Sequence, residues 1–305
     1  MLINQQSLIY FSENTVPITH NKLFSFVFYQ ISMKYFYACV FVLFLSHLAV
    51  AQNKPDTLFF EDFNNTSLNR AKWNVEVTGN TVNNEQQAYV DLASVLVIKN
   101  GELEIKPVYH PGYVSDKQRK YDFLSGRINT RSKFEFTYGT ASARIKMSSG
   151  AGLWPAFWAL GEGKWPDCGE IDMMETVGDS SWVSHAMHGP GYFGNTPIAY
   201  RFHFPQGVDV TQWHIYSVDW TADHMIFSVD GKVTYTVTRA MVEHYGRWAY
   251  DNPKYIILNF ALGGGYPYGV NKVTTPYYGL SQSTVDKIKQ GKAIMQVDWV
   301  LVTKN

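Results

Sequence analysis

Apolar and polar residues alternate with a period of two along much of this chain. Val95-Leu96-Val97-Ile98-Lys99 runs into Asn100-Gly101 and then into Glu102-Leu103-Glu104-Ile105-Lys106. Asn-Gly between two such runs is a strong local signal for a tight hairpin, because both turn positions need positive φ. Leu103 and Ile105 are predicted to face inward, with Glu102, Glu104 and Lys106 outward. Met225 to Val229, Asp230-Gly231 and Lys232 to Val237 predict a second hairpin. Ala143, Ile145 and Met147 alternate with Ser142, Arg144 and Lys146, a half-buried strand. Helical signals are few. Ser283-Thr284-Val285-Asp286 reads as a capping box opening a short helix that stops at Gly291. Many short alternating strands over about 250 residues predict an all-β sandwich. No repeat, low-complexity tract or second-domain linker interrupts them.

One segment breaks the alternation. Gly169-Glu170-Ile171-Asp172-Met173-Met174-Glu175-Thr176-Val177-Gly178 carries three carboxylates, and apolar residues fill every gap between them. Such a run reads as a buried or half-buried strand. Acids there are costly unless paired, protonated or used. Glu170 and Asp172 share one face, whereas regular pairing would put Glu175 on the other. One extra residue at Met173-Met174, a β-bulge, returns Glu175 to the face of the other two. Two carboxyls roughly 5 Å apart are the equipment of a retaining glycosidase, one attacking the anomeric carbon and one protonating the leaving oxygen. The alternative is a structural strand edge with surface-facing acids.

Upstream, Gly152-Leu153-Trp154-Pro155-Ala156-Phe157-Trp158 sets two Trp four residues apart, and Trp165-Pro166 follows just before the acids. Aromatic rings offer a flat partner to the apolar faces of sugars. Trp154, Trp158 and Trp165 are therefore candidate substrate contacts, with ordinary core packing as the alternative for the first two. At this point the chain resembles the glycoside hydrolases of family 16, in particular their laminarinase-like, endo-β-1,3-glucanase branch. The resemblance rests on Ser125-Gly126-Arg127-Ile128-Asn129-Thr130, Phe136-Thr137-Tyr138-Gly139, the Trp-Pro-Ala-Phe-Trp run and the acidic motif. His188-Gly189-Pro190-Gly191-Tyr192 and Val297-Asp298-Trp299-Val300 extend it, from about Leu58 to the C-terminus. It implies a concanavalin-like jelly roll with an open cleft suited to a polymer cut internally. It also implies Glu170 as nucleophile, Glu175 as acid/base and Asp172 orienting the nucleophile. Three departures bear on substrate. Ser142 stands where relatives often have Glu, and Gly263-Gly264-Gly265-Tyr266-Pro267 replaces the commoner Gly-Gly-x-Trp-Pro. An elaboration runs from Pro276 to Lys292.

Composition narrows the alternatives. The 305 residues carry 26 basic and 26 acidic side chains, so no nucleic acid or other polyanion is signalled as a partner. Aromatic residues make up 16%, which fits a cleft lined with rings. Tyr35 to Leu48 is almost wholly apolar, and Ala49-Val50-Ala51 follows as a small-x-small cleavage site. Met33–Ala51 is thus expected to be a signal peptide, with residues 1–32 an over-extended start. The apolar stretch is short for a membrane span, which needs ~20 residues. After cleavage no membrane association is expected, and residues 52–305 are expected to be a single exported domain, extracellular or periplasmic and monomeric. Cys39 leaves with the signal and Cys168 remains alone, a small buried filler and not half of a disulfide.

The remaining candidates are polar. His185 and His188 are three apart, and on a strand that spacing points to opposite faces, which argues against zinc. The resemblance places His188 near the carboxylates, bound to Asp172 or substrate; a structural role is the alternative. Asn83-Asn84-Glu85-Gln86-Gln87-Ala88-Tyr89 resembles a laminarinase segment that borders the cleft, so Asn84 is a candidate sugar contact, with a plain loop as the alternative. Glu61, the Gly101 carbonyl and Asp298 resemble a structural calcium site, since oxygen ligands suit that ion; no cofactor is expected for catalysis. The expected substrate is β-1,3-glucan (laminarin) or mixed-linkage β-1,3/1,4-glucan. An algal galactan (agar, porphyran or carrageenan) and a non-catalytic glucan-binding module are the alternatives.

Overall fold

Both sequence hairpins form. Asn100 and Gly101 adopt φ of 55° and 75°, and Asp230 and Gly231 adopt 52° and 74°, the left-handed pair that a two-residue turn demands. The computed structural model describes residues 56–78 and 82–305. The expected signal peptide and the boundary at residue 52 lie outside the described residues. In chain order the strands are β1 (Thr57–Glu61), β2 (Asn74–Val75), β3 (Gln87–Tyr89), β4 (Leu96–Lys99), β5 (Glu102–Ile105), β6 (Val108–Val114), β7 (Lys120–Ser125), β8 (Arg127–Asn129), β9 (Gly139–Met147), β10 (Leu153–Gly161), β11 (Glu170–Glu175), β12 (Trp182–His188), β13 (Ala199–His203), β14 (His214–Trp220), β15 (His224–Val229), β16 (Lys232–Thr238), β17 (Lys254–Leu262) and β18 (Met295–Thr303). Three short helices join them: α1 (Arg239–Glu243), α2 (Gly265–Asn271) and α3 (Gln282–Lys289).

The strands form two large antiparallel sheets. One runs β16-β15-β14-β9-β18-β5-β4, with β1 added along β18; the other runs β13-β12-β11-β10-β17-β8-β2. A small third sheet, β3-β7-β6, contains the parallel pair β3 and β7. Between the large sheets lies one hydrophobic core. Ala141, Ala143, Ile145 and Met147 enter it from β9, and Val297, Val300 and Val302 from β18. Ile171, Met173, Met174, Val183 and Met187 enter from the facing sheet. Leu103 and Ile105 are fully buried, as their alternation predicts. The all-β sandwich of the jelly-roll type is what the structure shows.

Two local expectations change. Helix α3 starts earlier than the capping box at Ser283 suggests. Ser281 is the N-cap and accepts from the Thr284 backbone N–H, so Ser283 lies inside the first turn. Either serine can cap on pattern alone, and packing of Val285 and Ile288 into the core selects the register. Helix α2 is unannounced in the sequence because its Gly-Tyr-Pro-Tyr-Gly-Val-Asn run has no apolar stripe. No helix among the described residues is long and apolar enough to cross a membrane.

Candidate active site

Strand β11 carries the predicted bulge. Against β12, Asp172 pairs with Ala186 and Glu175 with Ser184, so three steps on β11 face two on β12. Against β10 the register slips at the same place, between Met174–Phe157 and Asp172–Trp158. The extra residue sends Met173 and Met174 into the core, both fully buried, and returns Glu175 to the face of Glu170 and Asp172.

Each outer glutamate is held by an indole. Trp165 Nε1 donates to Glu170 Oε2 at 3.0 Å, and Trp154 Nε1 donates to Glu175 Oε1 at 2.8 Å. His188 Nε2 lies 3.2 Å from Asp172 Oδ2 and 3.7 Å from Glu170 Oε1. The approach to Asp172 is close but lacks the alignment of a hydrogen bond, and Oδ2 has no other partner. His185, one strand face away, points into the core, so the two histidines diverge as their spacing predicts. Glu170, Glu175, Trp154, Trp165 and His188 line one cleft of about 700 Å³.

Asn84 lines that cleft, held with Asn83 in the left-handed region at φ of 57° and 54°. The Asn83 carbonyl accepts from Gly265 N–H at 2.7 Å, which ties this loop to the start of α2. Trp158 differs from expectation: it is not among the residues lining the cleft around the acids. Its Nε1 donates to Asn259 Oδ1 at 2.7 Å, and the Arg127 guanidinium lies 4.8 Å from its ring. Trp154 and Trp158 do share a face of β10. Four residues of strand separate them by roughly 13 Å, so only Trp154 reaches Glu175.

Sequence reasoning missed Tyr266, Ser184, Tyr200 and Arg201, which complete the cleft wall. Tyr266 packs edge-on against Trp154 with centroids 5.4 Å apart, and its hydroxyl lies 3.2 Å from Ser184 Oγ. Its place in the Gly-Gly-Gly-Tyr-Pro run was the available signal.

The sequence profile of the "Glycosyl hydrolases family 16" matches residues 69–278, a span that includes the bulged acidic strand. The chain belongs to family 16. It is 34% identical over 269 residues to a glucan endo-1,3-beta-glucosidase A1 from Niallia circulans, covering 80% of this chain and 37% of that protein. It is 31% identical over 187 residues to a keratan-sulfate endo-1,4-beta-galactosidase from Sphingobacterium multivorum, covering 60% and 40%. The chain thus spans less than half the length of these two relatives. The laminarinase catalytic domain from Thermotoga maritima superposes with a TM-score of 0.72 at 32% identity, covering 82% of this chain and 98% of that domain.

In this family-16 site, burial dominates the electrostatics. It pushes the Glu170, Asp172 and Glu175 carboxyls up to about 8, and the neighbouring Asp172 charge adds to the rise at both glutamates. The three share one field, so their protons leave as a set. A stability prediction follows from the sign of these shifts. An unfolded carboxyl titrates near 4, so between about pH 4 and pH 8 the folded state binds more protons than the unfolded one. The stability these groups contribute is whole below that window and is lost as pH rises through it. Lys254 acts in the opposite sense, because burial lowers its ammonium to about 7. Comparing variant with parent cancels that term. Glu170→Gln is expected to raise the melting temperature by roughly 3 °C at pH 8.5, and by less at pH 5. Calorimetry at both pH values checks this; an equal change at both would refute the burial argument.

The residues expected to hold calcium sit apart from the cleft. Glu61 Oε2 is buried without an aligned hydrogen bond, which suits a cation. Lys72 Nζ already lies 3.6 Å from it, however, and Arg144 Nη1 donates to Asp298 Oδ2 at 2.6 Å. Each acid faces a basic side chain, so the Glu61 and Asp298 carboxylates as placed do not fit a calcium ion.

Proposed function

We propose that this chain is an exported, retaining endo-β-glucanase that cuts β-1,3-glucan or mixed-linkage β-1,3/1,4-glucan by double displacement. The observation that carries the proposal is the bulge register. It sets two glutamates on one face of a cleft, each held by its own indole N–H, with Asp172 between them.

In this reading the first charge of the set settles on Glu170, which has both the Trp165 N–H and His188 beside it. That charge keeps Glu175 protonated. Glu170 attacks the anomeric carbon while Glu175 gives its proton to the leaving oxygen. Glu175, now ionised, takes a proton from water, which attacks the glycosyl-enzyme and restores the configuration. Asp172 sets the charge balance between the two. The residues that act are all carboxylates and their donors, and no cofactor takes part. Export rests on the Ala49-Val50-Ala51 site and on a substrate too large to enter a cell.

The glucan assignment draws on the Niallia and Thermotoga relatives, named for β-1,3-glucan and laminarin. A galactan is the second reading, favoured by the Sphingobacterium relative and by the exposed Arg201 in the cleft wall. A single Arg is short of the basic cluster that a sulfated polymer calls for.

The test is reducing-end release by residues 52–305 on laminarin, curdlan, mixed-linkage β-glucan, agarose, porphyran and carrageenan, with Glu170→Ala as blank. Release from laminarin or mixed-linkage glucan alone is expected. Release only from a galactan would keep the chemistry and overturn the substrate. Tight binding with no release would favour a recognition module instead.

A further inference from the structure

The bulge in β11 leaves a backbone problem that one side chain solves. In the β11–β12 ladder, Asp172 faces Ala186 and Glu175 faces Ser184, so Met173 and Met174 share a single opposite residue, His185. A bulge takes its extra residue out of the ladder and leaves a carbonyl in need of a donor. His185 is fully buried, and its Nδ1 lies 2.8 Å from the Met173 carbonyl oxygen. A carbonyl only accepts, so Nδ1 carries the hydrogen there.

The other ring nitrogen is also placed. Nε2 lies 2.9 Å from Thr234 Oγ1. Thr234 is itself a bulge residue: Phe227 pairs with Tyr235 and Ser228 with Val233, which leaves Thr234 out of the β15–β16 ladder. The imidazole stacks on Phe227 with centroids 5.0 Å apart and planes at 24°. Burial holds the ring neutral, with its pKa lowered to about 4. A neutral ring with hydrogen on Nδ1 can only accept at Nε2, so the single Thr234 hydroxyl hydrogen is shared between Nε2 at 2.9 Å and the Phe227 carbonyl at 3.1 Å. One side chain thus bridges the bulges of two facing sheets.

We propose that His185 is a positioning residue of the reaction, holding the Met173 carbonyl and through that bulge the orientation of Glu175 in the cleft. The proposal rests on the reading of Glu175 as acid/base. Loss of the donor leaves a buried carbonyl unpaired and lets the bulge rotate, which displaces Glu175 more than Glu170, because Glu175 directly follows the bulge whereas Glu170 lies three residues before Met173.

The experiment exploits leaving-group chemistry. A polymeric substrate needs a proton from the acid to leave, whereas a dinitrophenolate leaves without one. The readout is kcat/KM on whichever glucan the panel shows to be cut, and on the matching dinitrophenyl β-glycoside. His185→Phe, which keeps the stacking on Phe227 and loses the donor, is expected to lower kcat/KM on the polymer about 10-fold or more. On the dinitrophenyl glycoside the change is expected to stay within about 3-fold. His185→Asn, whose amide nitrogen stands near the Nδ1 position, is expected to restore most of the polymer activity. Thr234→Val, a milder change that removes the support of Nε2, should show the same split at about 2- to 5-fold and serves if His185→Phe does not fold. A merely structural role would lower both substrates equally and would not respond to His185→Asn. Glu175→Ala is run alongside. If it shows no split, the acid/base reading fails; if it splits while neither His185→Phe nor Thr234→Val does, the positioning role alone is overturned.

Discussion

Glu170→Ala and Glu175→Ala are each expected to reduce glucan hydrolysis by on the order of 10³-fold or more while the fold persists. Both side chains face the cleft; removing Glu170 frees the Trp165 indole N–H and the contact with His188, and removing Glu175 frees the Trp154 indole N–H, so little packing is lost. The two variants separate by azide. In Glu170→Ala the ion occupies the space of the missing carboxylate and attacks the substrate directly, so the glycosyl azide has inverted configuration. In Glu175→Ala the covalent intermediate still forms from an activated aryl glycoside, and azide intercepts it to give a product of retained configuration. Product stereochemistry by proton NMR reads this out. Either variant keeping more than a few per cent of parental activity, or the two giving the same anomer, would sink the assignment.

How much of this was legible in the chain follows from what each signal encodes. Alternation fixes which face a residue takes. The hairpins at Asn100-Gly101 and Asp230-Gly231, the inward Leu103 and Ile105, and the divergent His185 and His188 were therefore readable. So was the bulge, since an odd spacing between acids that must share a face leaves no other regular solution. Alternation says nothing of position along a face, which is why Trp158 read like Trp154 and yet sits beside Asn259 and Arg127.

Long-range placement was the other gap. Tyr266 reaches Trp154 only because α2 docks against the Asn83 loop, and neither segment carries a pattern that names the other. Glu85, Gln87 and Tyr89 read as cleft-bordering residues, but they are buried. Gln87 Oε1 accepts from Leu262 N–H, and Tyr89 OH accepts from Asn259. That segment braces β17 through the Asn259 side chain, on the same sheet face as Trp154 and Trp158, and through the Leu262 N–H, leaving Asn84 to line the cleft. The role of His185 was equally hidden, because a bulge carbonyl in need of a donor appears only once the ladder is known.

Deleting Met173 is expected to leave all three acids on one face of β11, in contrast to any change that removes a carboxylate. The spacing from Glu170 to Glu175 falls from five to four, and an even spacing shares a face without a bulge. The strand then reads Glu-Ile-Asp-Met-Glu, and regular pairing with β12 sets Met174 alone opposite His185. The cost falls on the core, which loses one of the strand's two fully buried methionines, about 2–5 kcal/mol. Hydrolysis per folded molecule is therefore expected to stay about 10-fold or more above that of Glu175→Ala. Met173→Leu keeps the residue count and hydrophobic volume, and it is expected to cost under about 1.5 kcal/mol of stability with activity largely kept. The contrast between deletion and substitution isolates chain length from side-chain chemistry. It is measured by hydrolysis per folded molecule, with circular dichroism establishing the folded fraction. A folded deletion variant as inactive as Glu175→Ala would show that a common face is not enough and that the bulge itself sets the working separation of the two glutamates.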